Sequence, residues 1–247
     1  MKKFRFWFLM LLLGANSLVG WAQSRPVQLS QQLLHAIYIR QNTDALTAEL
    51  NGFTVQFLGD ALTSDSLKKA FWINIYNASV QMSLLDSADR ANEKVFFNRM
   101  VMKVAGQELN LNDIEHGMLR ISKSAKGKKK RNKWFVSDFE KQMRLTQKDW
   151  RIYFALNTGL ASDPYIAFHS EEGIDRELDQ KIRQFVPLFS KNDALIMNNR
   201  FTWYLSDAGG TEEVKSYLLQ QKLKLQQISV ASESFIAFKP RYFIGMK

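Results

Sequence analysis

Residues 71–77 read Phe-Trp-Ile-Asn-Ile-Tyr-Asn. Two amides, Asn74 and Asn77, stand three residues apart inside an aromatic run, and the flanking residues make the run helical. Thr63-Ser64-Asp65 offers N-cap side chains, Phe71, Ile75, Val80 and Leu84 fall near one stripe, and Lys68 and Lys69 share another face. This pattern predicts a helix from about Ser66 to Leu85. Amides placed there are buried, and a buried amide without a partner costs about 1–3 kcal/mol. They either line a pocket or orient a catalytic group, or else tie the backbone of a neighbouring loop to the helix; the last is the commoner role.

On the N-terminal side, residues 27–50 read as an amphipathic helical region carrying Leu29, Leu33, Leu34, Ile37 and Tyr38, broken at Gly52. On the C-terminal side, residues 95–104 fit a strand or a short helix, and Val104-Ala-Gly-Gln-Glu-Leu109 a hairpin turn. Asn110 caps a further helix, with Asp113 three residues on. Ile152 to Leu156 alternates and predicts a strand, running into the turn residues Thr158-Gly159 to Asp163-Pro164. Helices follow at about 175–185 and 212–225, separated by a hairpin from Asn192 to Tyr204 that turns at Asn198-Asn199. The aromatic tail 234–244 reads as strand-like. With no internal repeat and no linker, the expectation is one α+β domain, mainly helical, with a small mixed or antiparallel sheet.

Lys2, Lys3 and Arg5 precede the apolar run Phe6 to Leu13 and a small-residue site ending Gly20-Trp21-Ala22. These are the parts of a secretory signal peptide spanning residues 1–22, with 23–247 as the domain. The apolar run falls short of the roughly 20 residues needed to cross a bilayer, so a membrane anchor is the weaker reading, and no later segment is a transmembrane candidate. The expected product is exported, periplasmic or secreted. The chain has no cysteine, which excludes disulfides, thiolate metal sites and a cysteine nucleophile. Without the three leader cations, 31 basic residues face 24 acidic ones, a net +7. Much of this excess lies in residues 123–133. Lys128, Lys129, Lys130 and Arg131 are either a patch for polyanions or a membrane surface, or part of a solvated loop. No aromatics interleave them to stack bases, and there is no specific nucleic-acid motif.

The histidines are His35, His116 and His169. They show no metal spacing, and the chain has neither a Gly-x-Ser-x-Gly nor a phosphate-binding glycine loop, so neither metal nor cofactor is expected. His116, beside Glu115 in the capped helix, is the acid–base candidate. His169 with Glu171 and Glu172 follows the 158–164 turn and reads as exposed.

Three blocks carry a resemblance: Phe71-Trp-Ile-Asn-Ile-Tyr-Asn-Ala78, Leu109-Asn-Leu-Asn-Asp-Ile-Glu-His-Gly-Met-Leu-Arg120 and Arg151-Ile-Tyr-Phe-Ala-Leu-Asn-Thr-Gly159. In order and rough spacing they resemble the signature blocks of the domain-of-unknown-function 547 family, over roughly residues 65–220. The family has no settled activity. The resemblance implies a histidine where this chain has Tyr153, and cysteines where it has Thr158 and Asp163. Such a pattern invites a thiol enzyme, whose central atom this chain lacks. Alternatively the family's cysteines form a disulfide that Thr158 and Asp163 replace.

Three functional expectations follow. The first is an exported binding or scaffold module of the cell envelope, without conventional catalysis, whose pocket holds Trp72, Asn74, Asn77, His116, Asn157 and Thr158. The second is a hydrolase or acyl transferase using Thr158 or Ser162 with His116 as base. The third is polyanion or membrane-surface binding through the basic loop.

Overall fold

The computed structural model describes residues 25–85, 92–123, 136–160 and 163–231. The leader, the basic loop with Lys128, Lys129, Lys130 and Arg131, Ser162 and the aromatic tail lie outside the described residues.

The helical region at the start divides into α1 (Arg25–Tyr38) and α2 (Asp44–Gly52), followed by α3 (Val55–Ala61). α1 lays Leu29, Leu33 and Leu34 onto the long helix α4 (Asp65–Leu85). Ser64 Oγ caps α4 by accepting from Leu67 N at 3.2 Å. α4 is buried on nearly every side from Lys69 to Leu84, the signature of a helix through the middle of a core rather than on its surface. One connected set of buried apolar side chains runs from Val27 on α1 to Leu218 near the C-terminal end.

After α5 (Glu93–Asn98), β1 (Met100–Val104) and β2 (Gln107–Asn110) pair as an antiparallel hairpin. Residues 95–104 are thus both of the alternatives offered by the sequence, helix first and strand second. The turn falls at Ala105 (φ 50°) and Gly106 (φ 74°), both left-handed, as a two-residue hairpin requires.

Asn110 and Asp113 then cap one another. Asp113 N donates to Asn110 Oδ1 at 2.8 Å, and Asn110 N to Asp113 Oδ2 at 3.2 Å. The helix they open widens into a π-helix, Asp113–Leu119. Bonds five residues apart run from Arg120 N to Glu115 O and from Ser122 N to Gly117 O, each 2.9 Å.

Beyond α6 (Asp138–Met143), the predicted strand at 152–156 is instead a 3-10 helix, Trp150–Ala155. Asp149 starts it by accepting from Arg151 N at 3.1 Å. Ile152, Tyr153, Phe154 and Ala155 are all buried, and a short apolar run buried on all sides has no periodicity to separate strand from helix.

α7 (Ile174–Phe185) is amphipathic as expected, with Ile174, Leu178, Ile182 and Phe185 inward. A 3-10 turn, Val186–Leu188, leads to β3 (Ser190–Lys191), which pairs antiparallel with β4 (Ala194–Asn198). The expected hairpin is therefore displaced. Its turn is Asn192-Asp193 (φ 50° and 59°), not Asn198-Asn199. Residues 201–204 form the start of helix α8 (Phe201–Ala208), because Phe201 and Tyr204, three apart, both enter the core. Gly209 ends α8 with φ 99°, a conformation that suits glycine. α9 (Thr211–Gln220) and β5 (Gln227–Ala231) follow, and β5 lies parallel to β4. The molecule is a mainly helical α+β domain with a two-stranded antiparallel hairpin and a three-stranded mixed sheet.

Candidate functional site

The π-helix places Glu115 and His116 side by side in the interior, each about 1% exposed. A carboxylate can stay ionised there only if it is fully partnered. Glu115 Oε1 accepts from Tyr204 OH at 2.8 Å. Its Oε2 accepts from Tyr76 OH at 3.2 Å and makes a short contact with Arg200 Nη2. Burial by itself would raise the Glu115 carboxyl, but the Arg200 guanidinium, helped by Arg120 and the Tyr204 hydroxyl, holds it down at about 2. Burial, and then the neighbouring Glu115 charge, push the Tyr204 hydroxyl well above its ordinary value. Burial raises Tyr76 as well, against the pull of Arg200. Both phenols therefore stay protonated and donate. Pairs of this kind cluster at functional sites, as do π-helical turns.

His116 is fixed from the other side. Its Nδ1 is 2.8 Å from Arg120 Nη1. Guanidinium nitrogens only donate, so Nδ1 is the acceptor and the ring proton sits on Nε2. Arg120 also donates from Nε to Asp207 at 2.6 Å and from Nη2 to Trp203 O at 3.1 Å. The guanidinium stands over the Trp203 ring, 5.6 Å from its centroid, and the His116 ring meets Trp203 edge-on at 4.8 Å.

Above this layer opens a cleft of about 500 Å³. α5 supplies Glu93, Lys94, Phe97 and Asn98; Asn112, just before the π-helix, and Glu115 within it follow; Arg200, just before α8, and Trp203 on α8 close it. Arg200 forms its base. Its side chain is 12% exposed and lies over the Phe97 ring, 5.1 Å from the centroid. Only Nη2 is engaged by protein side chains, and Nε and Nη1 have no side-chain partner among the described residues. Asn112 Nδ2 donates to Asn98 Oδ1 at 3.2 Å, and Asn98 Nδ2 to Lys94 O at 2.7 Å. Asn112 Oδ1 is thereby left for another donor.

The six residues grouped by the sequence separate into three places. Asn74 and Asn77 hold loop backbone. Asn74 Oδ1 accepts from His169 N at 2.9 Å while its Nδ2 donates to His169 O at 2.9 Å and to Ser30 Oγ at 3.1 Å. Asn77 Nδ2 donates to Ala155 O and its Oδ1 accepts from Asn157 N, both at 2.9 Å. Asn157 continues the pattern, donating to Pro164 O at 2.8 Å and accepting from Gly159 N at 3.0 Å. Thr158 Oγ1 donates to Asp163 Oδ2 at 2.6 Å, and the same oxygen accepts from Thr158 N and Leu160 N. Burial raises the Asp163 carboxyl against the pull of Arg200 and these hydrogen bonds. Trp72 is fully buried and donates from Nε1 to Met143 O at 3.0 Å. Of the six, His116 alone belongs to the layer under the cleft.

His169, read as exposed, is fully buried, its Nδ1 2.8 Å from Glu177 Oε2. Four residues of the Glu115 layer escaped sequence reading: Arg200, Trp203, Tyr204 and Asp207. They sit more than 80 positions after Glu115, at the start of α8 and along it, where the sequence suggested a strand from Arg200 to Tyr204. The signal available for Glu115 was an acid inside the apolar run Ile114–Leu119. Among the described residues no group of His, Asp or Glu side chains is arranged to hold a metal, and no helix is long and apolar enough to cross a membrane.

Comparison with known families gives a match to the model described as "Protein of unknown function, DUF547", over residues 60–186. No match was found among curated proteins or among solved structures. The matched segment contains the α4 amides, the π-helix and the Thr158–Asp163 loop, and it covers just over half of the 247 residues, so the chain belongs to the DUF547 family.

Proposed function

We propose that the protein is an exported binding module of the cell envelope, which takes a small ligand into the cleft between α5, the π-helix and α8 and does no covalent chemistry at the Thr158 loop. Arg200 carries this reading. It is a mostly buried cation whose orientation is locked by Glu115 and Tyr76, and its remaining N–H groups are available at the base of a cleft of about 500 Å³. That volume lies within the roughly 300–1,000 Å³ of small-molecule sites, and pre-formed donors of this kind bind without a large ordering cost.

Two side chains that an acyl-transfer reading uses, Thr158 and His116, are otherwise engaged, while Ser162 lies outside the described residues. The Thr158 hydroxyl donates to Asp163, and the His116 Nδ1 lone pair is taken by Arg120. A general base must face the proton that it removes with a free lone pair.

The test is a thermal-shift screen of the purified protein against sugars, amino acids, nucleosides and small carboxylic acids. Compounds that raise the Tm of the wild type are expected to do so equally for Thr158→Val. They are expected to fail with Asn98→Trp, which fills the cleft mouth from an exposed helix position. Hits that stabilise Asn98→Trp as well as the wild type would remove the cleft as the site.

A further inference from the structure

Resting on that reading, we infer that the cleft ligand is an uncharged saccharide unit whose ring packs on Trp203 and whose hydroxyls bond to Arg200 and Asn112. The charges of the cleft cancel: Glu93 and Lys94 on one helix, Glu115 and Arg200 beneath it. Glu115 remains ionised in direct contact with the guanidinium, so the base of the cleft is a neutral pair with spare donors rather than a free cation. An anion would gain one face of Arg200 and meet the Glu115 carboxylate behind it. A hydroxyl or carbonyl oxygen takes the same N–H groups without that repulsion.

The second observation is the state of Trp203. Its indole is half-buried and is backed by the Arg120 guanidinium at 5.6 Å and the His116 ring at 4.8 Å. An aromatic side chain supported from behind and bordering a cleft is a rigid platform. Its negative ring face attracts the weakly positive C–H patches of a pyranose, while the sugar hydroxyls project from the ring edge. The third observation is the amide pair. Asn112 has its Nδ2 fixed by Asn98, and its Oδ1 is directed by that bond as an acceptor. Donors on Arg200 and an acceptor on Asn112 match a hydroxyl-bearing ligand, since each hydroxyl both gives and takes a hydrogen bond. In this arrangement His116 and Arg120 are positioning residues, acting through Trp203.

Isothermal titration calorimetry of the full chain tests the inference with cellobiose, maltose and N,N′-diacetylchitobiose as neutral probes and glucuronic acid as the charged one. At least one neutral disaccharide is expected to bind, with an affinity that salt leaves nearly unchanged. Trp203→Ala should weaken it by about tenfold or more, Asn112→Ala less, and Trp203→Phe should retain most of it. The phenylalanine variant separates loss of the platform from loss of the fold. If glucuronic acid alone binds, steeply weakened by salt and lost in Trp203→Ala, the neutral-ligand inference fails and the cleft reading stands. If no saccharide binds, or binding survives both Trp203→Ala and Asn98→Trp, the saccharide inference is overturned, and the thermal-shift screen decides the cleft reading separately.

Discussion

Glu115 is the residue on which the interior depends. It is a buried carboxylate that neutralises Arg200 and orders two phenols, and removing one member of a buried pair leaves an uncompensated charge. Glu115→Gln is expected to lower unfolding free energy by about 3–5 kcal/mol in denaturant titrations at neutral pH. The pH dependence has a definite sign. The carboxyl lies at about 2 in the fold against 4.5 ordinarily, so its contribution is complete above about 4.5 and is lost as pH falls towards 2. Wild-type stability should therefore drop across that window, and Glu115→Gln should show a shallower drop. Equal slopes for the two proteins would mean that Glu115 is not held ionised by Arg200. At this scale the sequence was partly legible. The capped helix pointed to His116, whereas the charge opposing Glu115 comes from Arg200 and is brought there by the tertiary fold alone.

At the scale of elements, α4 acts as a clamp on backbone that has no sheet to bond to. Asn77 satisfies Ala155 O and Asn157 N, and Asn74 satisfies both backbone groups of His169. Asn77→Ala leaves two buried backbone groups unpaired, at about 1–3 kcal/mol each. The expected result is a lower Tm and new proteolytic cleavage within 155–169; an unchanged cleavage pattern would show that the segment holds itself. The Thr158–Asp163 contact closes the same segment, where the family resemblance implies two cysteines. The double variant Thr158→Cys/Asp163→Cys is expected to titrate with no free thiol after oxidation and to melt higher oxidised than reduced. Two persistent thiols would mean that the pair is not in disulfide geometry. The clamp was legible from the amides at i and i+3 in an aromatic helix. The 3-10 helix at 150–155 and α8 were not, since four buried residues in a row carry no period and Phe201 to Tyr204 fits strand and helix alike.

At the scale of the whole molecule, helices distant in sequence meet at Arg151. Its Nε and Nη2 bond Asp149 at 2.8 Å, Nη1 bonds Asp179 at 2.8 Å, and Nη2 reaches Asp175 at 2.6 Å. Lys69 on α4 bonds Asp149 and Asp175 at 3.0 and 2.7 Å, and Tyr217 on α9 bonds Asp179. Composition and spacing gave no hint of this network, because its members lie on four elements and each alone reads as a surface charge. Asp149 is the least exposed of its carboxylates. Burial opposes ionisation there, yet hydrogen bonds and charge from Arg151, then Lys69, keep the carboxyl below its ordinary value. The Asp175 carboxyl is lowered too, first by its hydrogen bond to Lys69, but it is largely exposed and its share is screened by solvent. Arg151→Met leaves three carboxylates facing one lysine, and a loss of about 3 kcal/mol is expected at pH 7. In the wild type this stabilisation is present above the ordinary Asp value near 3.8 and is lost as pH falls through the depressed folded values. In the variant the same carboxylates repel, and protonation relieves them. The gap between wild type and Arg151→Met should therefore narrow as pH falls below about 4, measured as the difference in urea midpoint across a pH series. A gap that stays constant with pH would assign the loss to the packing of the Arg151 side chain against Tyr217 rather than to its charge.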